Sequence, residues 1–324
     1  MLSFEPLTES VEMAWSDKPV PWKCNGLIVR GEGGVVLIDC NFTDEEIGQL
    51  MERTGESISG YFVTHMHIDH VNNLHLWEAR GVPIHCPRPE DDFLRDFRNL
   101  LRASGSTAFG MDESMRAFTG KVQGFREISV VRGFDPGEVF RIGNITLKTL
   151  PLPGHSPGHT GYIVGAGTER EILFASDLGL DDFGAWYGFD YCDLAAYRQS
   201  VAAARDLYAE GDYILAASHS GPFIERQEVS LFDGITGKME TVGEGLMSAV
   251  RERGPVALRD LVLTGLYYSP ASLEKMNPFI RGLYGFWEYH TLNNHVREFV
   301  QRGDIRQLSD GTLEAVTLRE PVSA

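Results

Sequence analysis

The run Thr64-His65-Met66-His67-Ile68-Asp69-His70 places four candidate metal ligands within six positions. It follows directly on the apolar, strand-like stretch from Ile58 to Val63. Three more candidates stand at predicted strand-to-loop boundaries: His155 in Pro-Gly-His-Ser-Pro-Gly-His, Asp177 in Phe-Ala-Ser-Asp, and His219 in Ala-Ser-His-Ser-Gly-Pro. Imidazole nitrogens and carboxylate oxygens without thiolates suit zinc, and also iron or manganese. On an extended backbone His65 and His67 point the same way, because side chains alternate faces, and Asp69 shares that parity. His70 turns toward a second site once the chain bends. His159, in the second Pro-Gly-His, fits a supporting role, bonding a ligand or a loop carbonyl. His75, His85, His290 and His295 have no such company and are read as non-ligands.

The elements that must position these groups are strands alternating with helices. Strands are predicted at about 25–30, 35–39, 59–63, 83–86, 128–131, 145–149, 161–165, 171–175 and 213–216. Helices are predicted at about 43–53, 72–80 and 194–209, the last with Asp193 as its N-cap. Short loops after strands let segments distant in sequence converge on one rim.

The order His-x-His-x-Asp-His, then a lone His, a lone Asp and a final His, resembles the metallo-β-lactamase-fold superfamily over about residues 22–225. The resemblance implies an α/β fold, a four-layer αββα sandwich. It also implies that His65, His67 and His155 bind one metal, that Asp69, His70 and His219 bind another, and that Asp177 bridges them. Two Zn²⁺ ions are the expected cofactors, with iron or manganese as alternatives. A metal pair lowers the pKa of bridging water and so supplies hydroxide near neutral pH. Asp69 is the carboxylate expected to orient that hydroxide and relay its proton.

Two features exceed a minimal core. Segment 90–125 reads as a helical insertion, with Phe93, Leu94, Phe97, Leu100, Leu101, Met111, Met115 and Phe118 as its apolar positions. It could be a lid, a homodimer surface or a simple cap on the sandwich. The loop from Asp181 to Tyr191 carries Phe183, Trp186, Tyr187, Phe189 and Tyr191 soon after Asp177. Rings so near a metal site line a substrate cleft, which favours a hydrophobic acyl substrate. Beyond 228 the pattern changes to a helix at about 239–253, a short helix near 257–265 and an aromatic stretch from Leu283 to Tyr289. A helix at about 290–302 and a hairpin, Ile305–Leu308 with Leu313–Val316, complete it. This order resembles the winged-helix appendage of some family hydrolases. The expected domains are a catalytic unit over 1–228 and an appendage over 229–324.

The chain is 324 residues long with a formal net charge of −17, a balance that repels phosphate and membrane anions at long range. No apolar stretch reaches the ~20 residues that span a bilayer. The first residues carry no basic-then-apolar leader, so a cytoplasmic location is expected. Cys24, Cys40, Cys86 and Cys192 form no Cys-x-x-Cys pair and are read as reduced thiols. Arg95, Arg98 and Arg102, mixed with Asp91, Asp92 and Asp96, read as a solvated helix face. The leading expectation is a two-metal hydrolase of thioesters, esters or lactones, with a small-molecule acyl substrate. A metallo-endoribonuclease is the alternative, disfavoured by the acidic balance because nucleic acid would be repelled. Iron redox chemistry ranks third, since His67 is retained and the second ligand set is complete. A β-lactamase is disfavoured because those enzymes are secreted.

Overall fold

The computed structural model describes residues 1–16, 24–55, 58–167 and 169–316. The strands are β1 (Leu2–Pro6), β2 (Val11–Ser16), β3 (Gly26–Gly31), β4 (Gly34–Ile38), β5 (Ile58–Phe62), β6 (Ile84–Pro87), β7 (Arg132–Phe134), β8 (Val139–Ile142), β9 (Ile145–Pro151), β10 (Thr160–Gly165), β11 (Glu171–Phe174), β12 (Tyr213–Ala216), β13 (Ile305–Gln307) and β14 (Leu313–Ala315). The helices are α1 (Asp44–Thr54), α2 (Ile68–Val71), α3 (Leu74–Glu78), α4 (Asp91–Arg95), α5 (Phe97–Ala103), α6 (Asp112–Ala117), α7 (Leu194–Glu210), α8 (Ser230–Arg253), α9 (Pro270–Leu273) and α10 (Pro278–Arg302).

Strands β1 to β7 form one sheet in sequence order, and β12-β11-β10-β9-β8 form a second. Side-chain alternation explains how the sheets stack. Leu27, Val29, Val36, Ile38 and Phe62 face Leu147, Tyr162, Val164, Ile172 and Phe174 of the second sheet in one buried core. Ile28, Leu37 and Tyr61, on the opposite face, pack under α1, α3 and the insertion. Leu173, Leu215 and Ile163 pack under α7 and the start of α8. The result is the expected αββα sandwich.

Strands β4, β5 and β6 run parallel, as do β11 and β12. Their C-terminal ends therefore open toward one rim, where loops carry function in such sheets. At α1, Thr43 and Glu46 form a reciprocal capping box, and Gly55 takes the left-handed conformation that ends the helix.

Several predicted boundaries are corrected. The expected strand at 128–131 is irregular chain: Ile128 and Val131 are buried against the insertion, and pairing begins only at Arg132. The expected helix at 72–80 is the shorter α3, Leu74–Glu78, and a separate helix α2, Ile68–Val71, precedes it, so Asp69 lies on a helix and its strand parity does not apply. The short helix near 257–265 is a single 3₁₀ turn over Leu258–Leu261. Helix α8 begins at Ser230, not 239, because burial of Phe232, Ile235 and Met239 outweighs the low helix propensity of Gly234 and Gly237. The aromatic stretch and the following helix are one element, α10, started by Asn277 as N-cap and Pro278 in the first turn. The N-terminal hairpin β1–β2 and the edge strand β8 were not predicted.

The C-terminal region has its own apolar cluster, including Leu246, Val250, Leu261, Leu292, Phe299 and Leu313. Its helices also reach the sandwich, since Leu283 belongs to the insertion core. Among the described residues no helix is long and apolar enough to cross a membrane. All four cysteines are free and buried.

Candidate metal centre

Five chain segments meet at the rim. His65, His67, Asp69 and His70 follow β5, His155 follows β9, Asp177 follows β11 and His219 follows β12; Asp39 enters from the end of β4. The seven predicted ligands are all brought together. His65, His67, His155 and Asp177 each offer a ligand atom within 4.8 Å of the others, and Asp69, His70, Asp177 and His219 do the same. Asp177 is common to both groups, as a bridging carboxylate would be.

In the first group His155 Nε2 lies 2.9 Å from His67 Nδ1 and 3.2 Å from His65 Nε2. Asp177 Oδ2 stands 3.6 Å from His155 Nε2 and 3.8 Å from His65 Nε2. In the second group His219 Nε2 is 3.3 Å from both Asp69 Oδ2 and Asp177 Oδ2. His70 Nε2 lies 3.2 Å from Asp177 Oδ1, yet both atoms are buried without a hydrogen-bond partner. Buried polar atoms are almost always satisfied, so this pair marks a place where a cation would complete the shell. The donor set of imidazole and carboxylate fits a divalent metal such as zinc.

Electrostatics separates the two halves. Burial, with the neighbouring imidazoles, holds His65 and His155 well below the usual histidine range, and burial brings His67 down to about 4. Neutral imidazole is the form that ligates. Burial also opposes charge on His70 and His219, but surrounding acidic groups outweigh it and raise both well above the ordinary value. For Asp69 burial acts upward, while His70 and His219 bring the carboxyl down to about 2.

A second layer orients these ligands. Asp39 Oδ2 accepts from His70 Nδ1 at 2.8 Å, while Oδ1 accepts from the Thr64 amide at 3.0 Å. Asp39 (φ 48°) and Ser176 (φ 49°), the residue before Asp177, both hold left-handed backbone that non-glycine residues rarely adopt. His159 takes the supporting role expected of it: Nδ1 donates to Leu152 O at 2.8 Å and Nε2 accepts the Asp177 amide at 3.1 Å. Buried Glu90 accepts from the Met66 amide at 2.7 Å, the Gly158 amide at 2.6 Å and the Ser156 hydroxyl. Tyr191 Oη is 2.8 Å from His67 Nε2, and His155 Nδ1 donates to Trp186 O at 2.8 Å. Sequence reasoning missed Asp39 and Glu90, and gave Tyr191 only as a ring of the cleft-lining loop, not as a partner of His67. Asp39, which ends the apolar run of β4, carried the one local signal.

Five of the seven candidate ligands, His67, Asp69, His155, Asp177 and His219, line the floor of a cavity of about 340 Å³. Phe97, Leu100, Leu101, Met115 and Phe118 of the insertion form one wall, and Phe183, Trp186 and Phe189 of the aromatic loop another. Tyr284 and Trp287 of α10 complete the lining.

The sequence pattern of the metallo-beta-lactamase superfamily matches residues 19–218. The chain belongs to that superfamily. A metallo-beta-lactamase family protein of Thermus thermophilus superposes with a TM-score of 0.73 at 20% identity, covering 96% of this chain and 100% of its own. A beta-lactamase domain protein of Burkholderia ambifaria gives 0.72 at 18% identity, over 97% of this chain and 94% of its own. These superpositions include the C-terminal helices, so that region is shared fold. In sequence, the chain is 25% identical to the probable metallo-hydrolase YqgX of Bacillus subtilis over 52% of this chain and 76% of that relative. It is 29% identical to the hydroxyacylglutathione hydrolase GloC of Haemophilus influenzae over 47% of this chain and 64% of that relative.

Proposed function

We propose that this metallo-beta-lactamase superfamily member is a two-metal hydrolase of a thioester, ester or lactone carrying a hydrophobic acyl group. The observation that carries this reading is the convergence of seven candidate ligand side chains at one rim, five of them lining a cavity with apolar walls. His65, His67 and His155 would hold one zinc, Asp69, His70 and His219 the other, and Asp177 would touch both. The bound cations would supply Lewis-acid polarisation of a carbonyl and activation of water near neutral pH. Asp69, ionised and partly open to the cavity, would accept a proton from attacking water and return it to the leaving group. The insertion and the aromatic loop would hold the acyl chain by apolar contact and keep bulk water from the reacting carbonyl.

The activities of the relatives, probable metallo-hydrolase and hydroxyacylglutathione hydrolase, agree with carbonyl hydrolysis. An RNA substrate has less support. Two of the three arginines of α10 are engaged within the fold, Arg297 with Asp190 and Arg302 with Asp304. The test is turnover of neutral esters, thioesters and lactones of graded acyl length, with and without a chelator. Chelator-sensitive hydrolysis with KM falling as the chain lengthens is expected. No metal-dependent turnover on any of them, together with cleavage of bound single-stranded RNA, would replace this reading.

A further inference from the structure

The C-terminal helix α10 lies behind the aromatic loop, with Trp287 the wall residue it adds nearest that loop, yet it fixes the backbone that orients two of the histidines. The carbonyls of loop 185–190 divide by partner. Trp186 O accepts from His155 Nδ1 at 2.8 Å, toward the site. The carbonyls on either side turn the other way. Ala185 O accepts from Tyr267 Oη at 2.8 Å, and Tyr187 O and Phe189 O both accept from Asn294 Nδ2 at 3.2 Å. Arg297 donates to Asp190 O at 2.8 Å and to Asn294 Oδ1 at 3.1 Å. One residue further on, Tyr191 places its hydroxyl 2.8 Å from His67 Nε2.

Asn294 is buried, 4% exposed, so its amide is not interchangeable with water. Phe189 O also accepts from the Cys192 amide at 3.2 Å, so Tyr187 O is the buried carbonyl that loses its partner when Asn294 is replaced. The loop segment is irregular and makes no sheet ladder of its own. Its backbone is therefore fixed from outside: α10 supplies Asn294 and Arg297, while Tyr267 holds Ala185 O and Ser104 O accepts from the Asp190 amide at 3.1 Å. The ring angle of His155 follows from where Trp186 O stands, and that of His67 from where Tyr191 stands.

We infer that Asn294, supported by Arg297, is a positioning residue for the first metal site. It acts through the 185–191 backbone on His155 and His67, although it touches neither. The C-terminal region is then part of the metal centre and not a separate appendage to it. This rests on the two-metal reading proposed above.

The test measures Zn²⁺ binding to the full chain by chelator competition, and the visible spectrum of the Co²⁺-loaded protein. The two sites are assigned with His155→Ala and His219→Ala. Asn294→Leu, which keeps the volume and removes both donors, is expected to weaken the first site about 10–100-fold. The second site keeps its affinity, and only the first-site cobalt bands shift. A folded Asn294→Leu protein with wild-type affinity at both sites and an unchanged spectrum overturns the inference. Should that variant not fold, Arg297→Met at the half-exposed edge decides. A loss confined to the first site supports the inference, and wild-type binding at both sites overturns it. A wild-type chain that binds no Zn²⁺ would instead sink the metal reading itself.

Discussion

Glu90 offers a direct way to perturb the site without touching a ligand. Its buried carboxylate accepts three hydrogen bonds: from the amide between His65 and His67, from the amide before His159, and from the hydroxyl beside His155. Burial raises its pKa and the three donors act against that. In Glu90→Gln one oxygen can still serve Ser156 and Gly158, but the new amide N–H must face the Met66 N–H. Leaving that donor unsatisfied costs about 1–3 kcal/mol. The denaturant midpoint should fall accordingly with an unchanged slope. Because the lost bond ties the first histidine loop to the His155 loop, metal affinity should also fall, by about 10–100-fold. A Glu90→Gln protein within about 0.5 kcal/mol of wild type, with unchanged metal affinity, would refute the claim that this carboxylate couples the two loops.

Other outcomes follow from the same geometry. Asp69→Asn should lower kcat by about 10²–10⁴-fold with an unchanged circular dichroism spectrum; near-full turnover would remove Asp69 from proton transfer. Phe118→Ala removes an apolar wall group and should raise KM for long-chain esters about tenfold or more, leaving short-chain substrates unaffected in a steady-state comparison. Burial depresses His290 to about 4 and His295 to about 3, so both are neutral when folded. Unfolded histidine titrates near pH 6.5, so below that pH the unfolded chain binds more protons. Stability should be full above about pH 6.5 and fall by about 2 kcal/mol per histidine by pH 5, read from denaturant midpoints. His295→Gln should flatten that profile.

The ligand set was legible because its information is local. Four candidates crowd one turn, and the others follow apolar runs that end in Gly, Ser or Pro. The supporting layer was not legible to the same degree. Glu90 and Tyr191 look like ordinary charged and aromatic residues until β6 and the aromatic loop are folded against β5. Asn294 lies 107 residues from Tyr187, whose carbonyl it holds, and no pattern along the chain links them. Helix starts failed where tertiary burial overrode propensity: Gly234 and Gly237 in α8, and Gly282 and Gly285 in α10, interrupt the periodic signal. The strand predicted at 128–131 failed for a related reason, because Ile128 and Val131 are buried by the insertion and not by a ladder.

Metal content tests the two-metal site most directly. Elemental analysis of protein purified without chelator or added metal, followed by titration of the stripped chain, should give two divalent ions per chain. His155→Ala and His219→Ala should each lose one of them. A stripped chain that takes up no divalent ion, with seven side chains still gathered at the rim, would contradict it.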